Sequence, residues 1–402
     1  MNFKTKINIA ISPGSKGKQE KYLFLIPVIF MLFTAKSMVG QSGYNGNGDD
    51  KNSFVNPTPY EIVKVNQPAG NQVKNVILMI GDGMGLTQIS TAWVANSGKL
   101  NLDNFPYTGL TRTYAYNKLI TDSGAAGTAL ATGHKTLYHA VGVDTSGNKL
   151  PSLVDLASKK GLSTAIVVSC GLTDATPATF LAGNIDRDDE EELASDFLMT
   201  PADYIFGGGR TKFAERKDKR NLLSEMASRG YSVATTWDEA RMIQTGKVFA
   251  LVTEGQLPLA NERGTLWQDA VVHSLALLNS NPNGFFAMFE GSRIDDCGHW
   301  QDLPALMGEI FDFDQTIGKV LEWAESDGQT LVIVLADHET GGLTLLDGDI
   351  SKAYVKGHFS TGGHSDIQVP VYAFGPGAEK FTGTYENTGI FLRISELLGL
   401  EY

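Results

Sequence analysis

The sequence predicts an α/β fold of three layers, in which a mostly parallel central sheet carries helices on both faces. Three observations predict it. Short apolar or β-branched runs recur at residues 76–80, 165–169, 285–289, 331–335 and 369–374, and each is the length of a buried strand. Between them lie stretches with helical spacing, such as Leu153, Val154, Leu156 and Ala157, or Leu306, Ile310, Phe313, Ile317, Val320 and Leu321. Strands alternating with helices make a parallel sheet covered on both sides. Acidic and histidine-bearing clusters directly follow four of the five runs, and in such sheets ligands bind at the carboxyl ends of the strands.

Taken in order, the first 37 residues form a separate compositional unit. Lys4, Lys6, Lys16, Lys18 and Lys21 precede an apolar run at 22–33, and the small residues Ala35 and Ser37 follow it. This is the pattern of a cleavable signal peptide, and the run is well short of the ~20 residues a membrane-spanning helix needs. The expected location is therefore secreted or periplasmic. Cleavage after Ser37 removes six lysines and Glu20, leaving 27 basic and 44 acidic residues of the original 33 and 45, a net charge of −17. A chain so acidic is a poor partner for nucleic acid. Residues 38–59, dominated by Gly, Asn, Ser, Asp and Pro, predict a flexible lead-in, and 60–402 a single catalytic domain. Two cysteines, Cys170 and Cys297, are too few for a disulfide scaffold; export would permit one bridge, and a buried free thiol is the alternative.

The clusters carry the chemistry. GDGMG at 81–85 places Asp82 after the first run; taken alone, such a segment reads as a tight turn. In TDSGAAGTA at 121–129, Ser123 opens a small-residue helical segment, where backbone amides and the helix dipole favour an anion. The plainer reading makes Ser123 or Asp122 an N-cap. EGSRIDDCGH at 290–299 sets Asp295 and His299 four residues apart, on one face of a helical turn, as a chelating pair would be. ADHETGG at 336–342 offers Asp337 and His338, which can share a metal only if the backbone turns there. His364 in TGGHSD and His358 in KGHFS compete as a third imidazole. Carboxylates and imidazoles at strand ends are what zinc and magnesium sites are made of, and a nearby serine is a candidate nucleophile.

As an ordered set, NVILMIGDGMG, TDSGAAGTALATG, TDATPA, EGSRID with its following CGH, ADHETGG and GGHSD resemble the alkaline phosphatases from about Asn75 to Gly377. PADYIFGGGR at 201–210 resembles a glycine-rich family segment with a structural role. The resemblance implies an alkaline phosphatase-like fold, two Zn²⁺ and one Mg²⁺, and hydrolysis of small phosphate monoesters through a phosphorylated Ser123. It implies that Asp82 bridges a zinc and the magnesium. Asp337 and His338 would complete the zinc nearest the nucleophile, and Asp295, His299 and His364 would hold the other. Thr176 and Glu290 would complete the magnesium ligands, with Asp174 holding one of its waters, and Arg187 would clamp phosphate. A homodimer is implied on the same ground.

Asp296 departs from the family pattern, adding negative charge where some members carry lysine, histidine or tryptophan near the phosphate. A sulfatase would be expected to show a CxPxR-type segment, whereas the cysteines here lie in CGLTD and CGHWQ. A phosphodiesterase, or a secreted non-catalytic metal or phosphate binder, are the other readings. A pure binder needs no nucleophile at a helix start.

Overall fold

A computed structural model describes residues 50–70 and 72–402. Its central element is a ten-stranded sheet. From one edge to the other the strands are Gly383–Glu386, Tyr107–Arg112, Val369–Phe374, Thr330–Leu335, Asn75–Gly81, Phe285–Gly291, Ser163–Gly171, Tyr204–Gly208, Lys247–Leu251 and Tyr231–Ala234. Only Val369–Phe374 runs antiparallel to its neighbours; the other pairings are parallel. Alternation along the first central strand shows why both faces are covered. Val76, Leu78 and Ile80 enter one apolar core, while Ile77 and Met79 enter the other.

Each of the five runs read as strands is one. The helical spacings hold as well, at Leu153–Lys159 and Leu303–Asp327. The second helix starts on Asp302, whose side chain accepts from Ala305 N–H, and stops at Gly328 in the left-handed region (φ 73°).

The lead-in is corrected where it falls within the described residues. Ser53–Val55 is an edge strand, antiparallel to Tyr354–Phe359, which also pairs with Leu343–Asp349 to make a small separate sheet. Phe54 packs against Phe311 with ring centroids 6.1 Å apart, and Leu303 N–H donates to Lys51 O at 2.8 Å. The polar composition conceals this strand because its order comes from an edge that meets its backbone groups, with one aromatic anchor. The signal-peptide segment and residues 38–49 lie outside the described residues. Among the described residues no helix is long and apolar enough to cross a membrane.

Candidate active site

All the motif residues gather at the carboxyl edge of the sheet. Asp82 leaves the end of Asn75–Gly81, and its backbone turns at once because Gly83 adopts φ 71°. A Cβ at Gly83 would lie 2.7 Å from Thr340 Oγ1 and 3.0 Å from Asp295 Oδ1, so only glycine lets three motifs meet there. Ser123 is the first residue of the helix Ser123–Thr132. The cap is Asp122, which accepts from the N–H groups of Gly124 and Ala125 at 3.2 Å each. The cap and nucleophile readings of this segment are therefore divided between neighbours: Asp122 caps, and Ser123 Oγ is free to lie 3.1 Å from His338 Nε2.

Asp337 and His338 follow Thr330–Leu335 on a turn, as their joint use requires. His338 Nε2 is 3.3 Å from Asp337 Oδ2 and 3.4 Å from Asp82 Oδ1. Asp295 and His299 share the short helix Arg293–His299, with His299 Nε2 3.2 Å from Asp295 Oδ2. His364 enters on the two-residue strand His364–Ser365, paired with Glu339–Thr340, which sets its Nε2 3.2 Å from His299 Nε2 and 3.5 Å from Asp295 Oδ1. His358 is exposed on the small separate sheet, opposite Thr344, so His364 is the imidazole that reaches the cluster.

The remaining motif residues close the other side. A cavity of about 110 Å³ is lined by Asp82, Ser123, Asp174, Thr176, Arg187, Glu290, Asp295 and Asp296, among others. Thr176 Oγ1 lies 3.5 Å from Asp82 Oδ2, and Glu290, the penultimate residue of its strand, lies beside Cys170, whose sulfur is 3.7 Å from Glu290 Oε2. Arg187 Nη1 donates to Asp122 Oδ2 at 3.1 Å. Cys170 and Cys297 are both buried and free, so the bridge that export would permit is absent.

Burial and mutual charge set the protonation pattern of the cluster. Burial, then the neighbouring charge of Asp337, pushes the Asp82 and Glu290 carboxyls well up; burial, then Asp295, pushes Asp337 up to about 7. Burial, then His364, pushes His338 down, so its imidazole is neutral. Burial also opposes the charge on Asp295, but the hydrogen bond from His299 and the surrounding histidines outweigh it and hold that carboxyl low, while the same bond raises His299 to about 9. Asp82 Oδ1 and Asp337 Oδ2 are buried without a hydrogen-bond partner.

The three imidazoles turn their Nε2 atoms inward. Backbone carbonyls occupy Nδ1 of His299 (Gly362 O, 2.7 Å) and of His364 (Thr121 O, 2.8 Å), and the Thr340 hydroxyl stands 3.2 Å from His338 Nδ1. That puts a proton on Nδ1 of each; Nε2 of His338 and His364, both pushed toward the neutral form, keeps a lone pair, while Nε2 of His299 donates to Asp295 and becomes a ligand atom only when it gives up that proton. The Thr340 hydroxyl in turn donates to Asp295, which ties the two imidazole groups together. One ligand atom each from Asp82, Asp337 and His338 lies within 4.8 Å of the others, and the same holds for Asp295, His338 and His364. Unpartnered carboxylate oxygens facing neutral imidazole lone pairs are a donor set for divalent cations. Sequence reasoning missed Asp122 as the partner of Arg187, and Thr340; the second was readable as the next residue on the His338 side of ADHETGG.

The profile of the family described as alkaline phosphatase matches residues 73–358, well over half of the chain. The chain belongs to the alkaline phosphatase family. Alkaline phosphatase 4 of Bacillus subtilis is 33% identical, over 79% of this chain and 87% of its own length. The alkaline phosphatase of Escherichia coli K12 is 28% identical, over 82% of this chain and 86% of its own. The crystal structure of alkaline phosphatase from the Antarctic bacterium TAB5 is 37% identical and superposes with a TM-score of 0.78, covering 82% of this chain and all of that one. A point mutant of that enzyme, 36% identical, has magnesium bound. Family and fold support hydrolysis of phosphate monoesters as the activity of this alkaline phosphatase, and the family is metal-dependent.

Proposed function

We propose that this enzyme hydrolyses phosphate monoesters through a phosphoserine at Ser123, in a site for two zinc ions and one magnesium ion. One observation carries the reading: the Ser123 hydroxyl sits at a helix N-terminus, 3.1 Å from His338 Nε2, among buried carboxylates that lack partners. Asp82, Asp337 and His338 would hold one zinc, Asp295, His299 and His364 the other, and Asp82, Thr176 and Glu290 the magnesium, with Asp174 beside it. When bound, these cations neutralise phosphoryl oxygens and lower the pKa of oxygens attached to them.

The chain's own residues do the rest. Arg187 grips two phosphoryl oxygens, a bidentate geometry that lysine cannot reproduce, and Asp122 holds the guanidinium 3.1 Å away ready for it. The helix starting at Ser123 adds partial positive charge where the trigonal phosphoryl group carries its negative charge. Ser123 Oγ loses its proton and forms the O–P bond as the bond from phosphorus to the alcohol oxygen breaks; the alcohol leaves with a proton. A water oxygen then bonds to phosphorus, the Ser123 O–P bond breaks, and the serine regains its proton. The net change is monoester plus water to alcohol plus inorganic phosphate. Export rests on the composition of the first 37 residues, and pairing of two chains on the family resemblance, which sedimentation would check.

Ser123→Ala tests the reading. It should remove the acid-stable phosphoenzyme trapped after mixing with substrate and reduce monoesterase turnover about 10⁴-fold or more, ~5.4 kcal/mol of barrier. Undiminished turnover would refute the nucleophile. Rates for a monoester, a diester and a sulfate ester should rank with the monoester fastest.

A further inference from the structure

The glycine-rich segment PADYIFGGGR is not used by the chemistry above, yet it lies against it. Gly207 and Gly208 close the strand Tyr204–Gly208, and Gly209 follows at φ 85°. A Cβ on Gly208 would stand 2.1 Å from Gly255 O and 2.5 Å from Thr253 Oγ1, and one on Gly209 would stand 3.2 Å from Gly171 Cα. A side chain at Gly208 would drive away the loop that follows Lys247–Leu251, and one at Gly209 would press on the end of Ser163–Gly171. With glycine there, the loop is pinned by backbone bonds: Gly209 N–H to Gly255 O at 2.8 Å, Arg210 N–H to Thr253 O at 3.1 Å and Val252 N–H to Gly207 O at 3.0 Å.

The pinned loop delivers one side chain to the cavity. Gln256 Oε1 accepts from Gly171 N–H at 2.7 Å, and its Nε2 donates to Asp174 Oδ2 at 2.6 Å. Asp174 needs that partner. It occupies the N-cap position of the helix Ala175–Leu181 but makes no side-chain cap bond, so its carboxylate is not tied to its own helix. The next residue of the loop, Leu257, is buried, and its carbonyl accepts from Arg293 Nη1 at 2.5 Å. Arg293 in turn grips Asp296, which lines the same cavity, at 2.6 Å.

We propose that Gln256 is a positioning residue that orients Asp174 toward the magnesium position, and that Gly208 is a glycine so that its loop can reach there. The inference rests on the proposed assignment of Asp174 to that position. An amide suits the task because one end anchors on the strand terminus while the other donates to the carboxylate without adding charge.

The test uses the full chain loaded with zinc, with Mg²⁺ binding read by equilibrium dialysis and elemental counting. Gln256 is exposed, so Gln256→Met should fold normally and remove both hydrogen bonds. Its Kd for Mg²⁺ should rise about tenfold, the usual scale for losing a residue behind a metal ligand. KM for a monoester at saturating Mg²⁺ should not change. Asp174→Ala should weaken Mg²⁺ binding more, and adding Gln256→Met to it should have no further effect. Wild-type Mg²⁺ binding in Gln256→Met, or a full additional loss in the double variant, would overturn the inference while leaving the magnesium assignment intact. Wild-type Mg²⁺ binding in Asp174→Ala would overturn that assignment and the inference with it.

Discussion

Two groups of buried acids stand a short way apart in this protein and have opposite surroundings. On the helix Leu303–Asp327, Glu309 and Asp312 are met by Arg263, whose Nη2 lies 2.7 Å and 2.6 Å from them; Gln268 and the Ala260 amide fill further lone pairs. Asp314 accepts from Tyr60 Oη and Asn101 N at 2.7 Å each and from Leu102 N at 3.1 Å. At the carboxyl edge of the sheet, Asp82 and Asp337 are as deeply buried, yet each keeps an oxygen without a hydrogen bond. Burial and residue type are the same in both groups. The position of the donors separates an acid that fastens the scaffold from one of the kind proposed above to hold a cation.

The largest effect should come from the second group. Asp82→Ala should lower turnover about 10⁴-fold, ~5.4 kcal/mol of barrier, and reduce the metal bound per chain. Stripped of metal by a chelator, that variant should melt no lower than the stripped wild-type protein, because a repelling buried carboxylate has gone. A clear drop in its melting temperature would place Asp82 with the scaffold acids and erase the distinction. The first group should respond in the opposite way. Arg263→Met leaves Glu309 and Asp312 without their cation and should cost about 3–5 kcal/mol in urea unfolding, with turnover per folded molecule unchanged. Lost turnover with unchanged stability would reverse the two roles.

What the sequence made legible follows the same division. The acids proposed to hold metal follow apolar runs, so a strand prediction already carried Asp82, Glu290, Asp295 and Asp337 to one edge of one sheet. Residue patterns alone left His364 and His358 unresolved, because the choice depends on a two-residue pairing of Glu339–Thr340 with His364–Ser365. Asp122 and Arg187 are 65 residues apart, and Gln256 and Asp174 are 82 apart. Neither partnership leaves a local signal, since both arise from loops brought together by strand order. The strand Tyr204–Gly208 was hidden by its own glycines, whose purpose is close approach rather than strand propensity. Ser53–Val55 was hidden by polar neighbours.

The smallest effect sharpens the comparison within the scaffold group. Burial outweighs the hydrogen bonds to Asp314 and pushes its carboxyl up to about 6, against ~3.9 in an unfolded chain. The folded state therefore holds this proton more tightly than the unfolded one. That contribution is complete below about pH 4 and is lost as pH rises through about 6, a difference of about 2–3 kcal/mol. Asp314→Asn cannot ionise, so it should be less stable than wild type at pH 4, where its amide faces donors, and that gap should narrow by about 2–3 kcal/mol by pH 7.5. Comparing the two proteins at each pH cancels the titration of the acids at the carboxyl edge of the sheet, which they share. A gap that stays constant across the range would mean that Tyr60, Asn101 and Leu102 fully offset the cost of burying the charge.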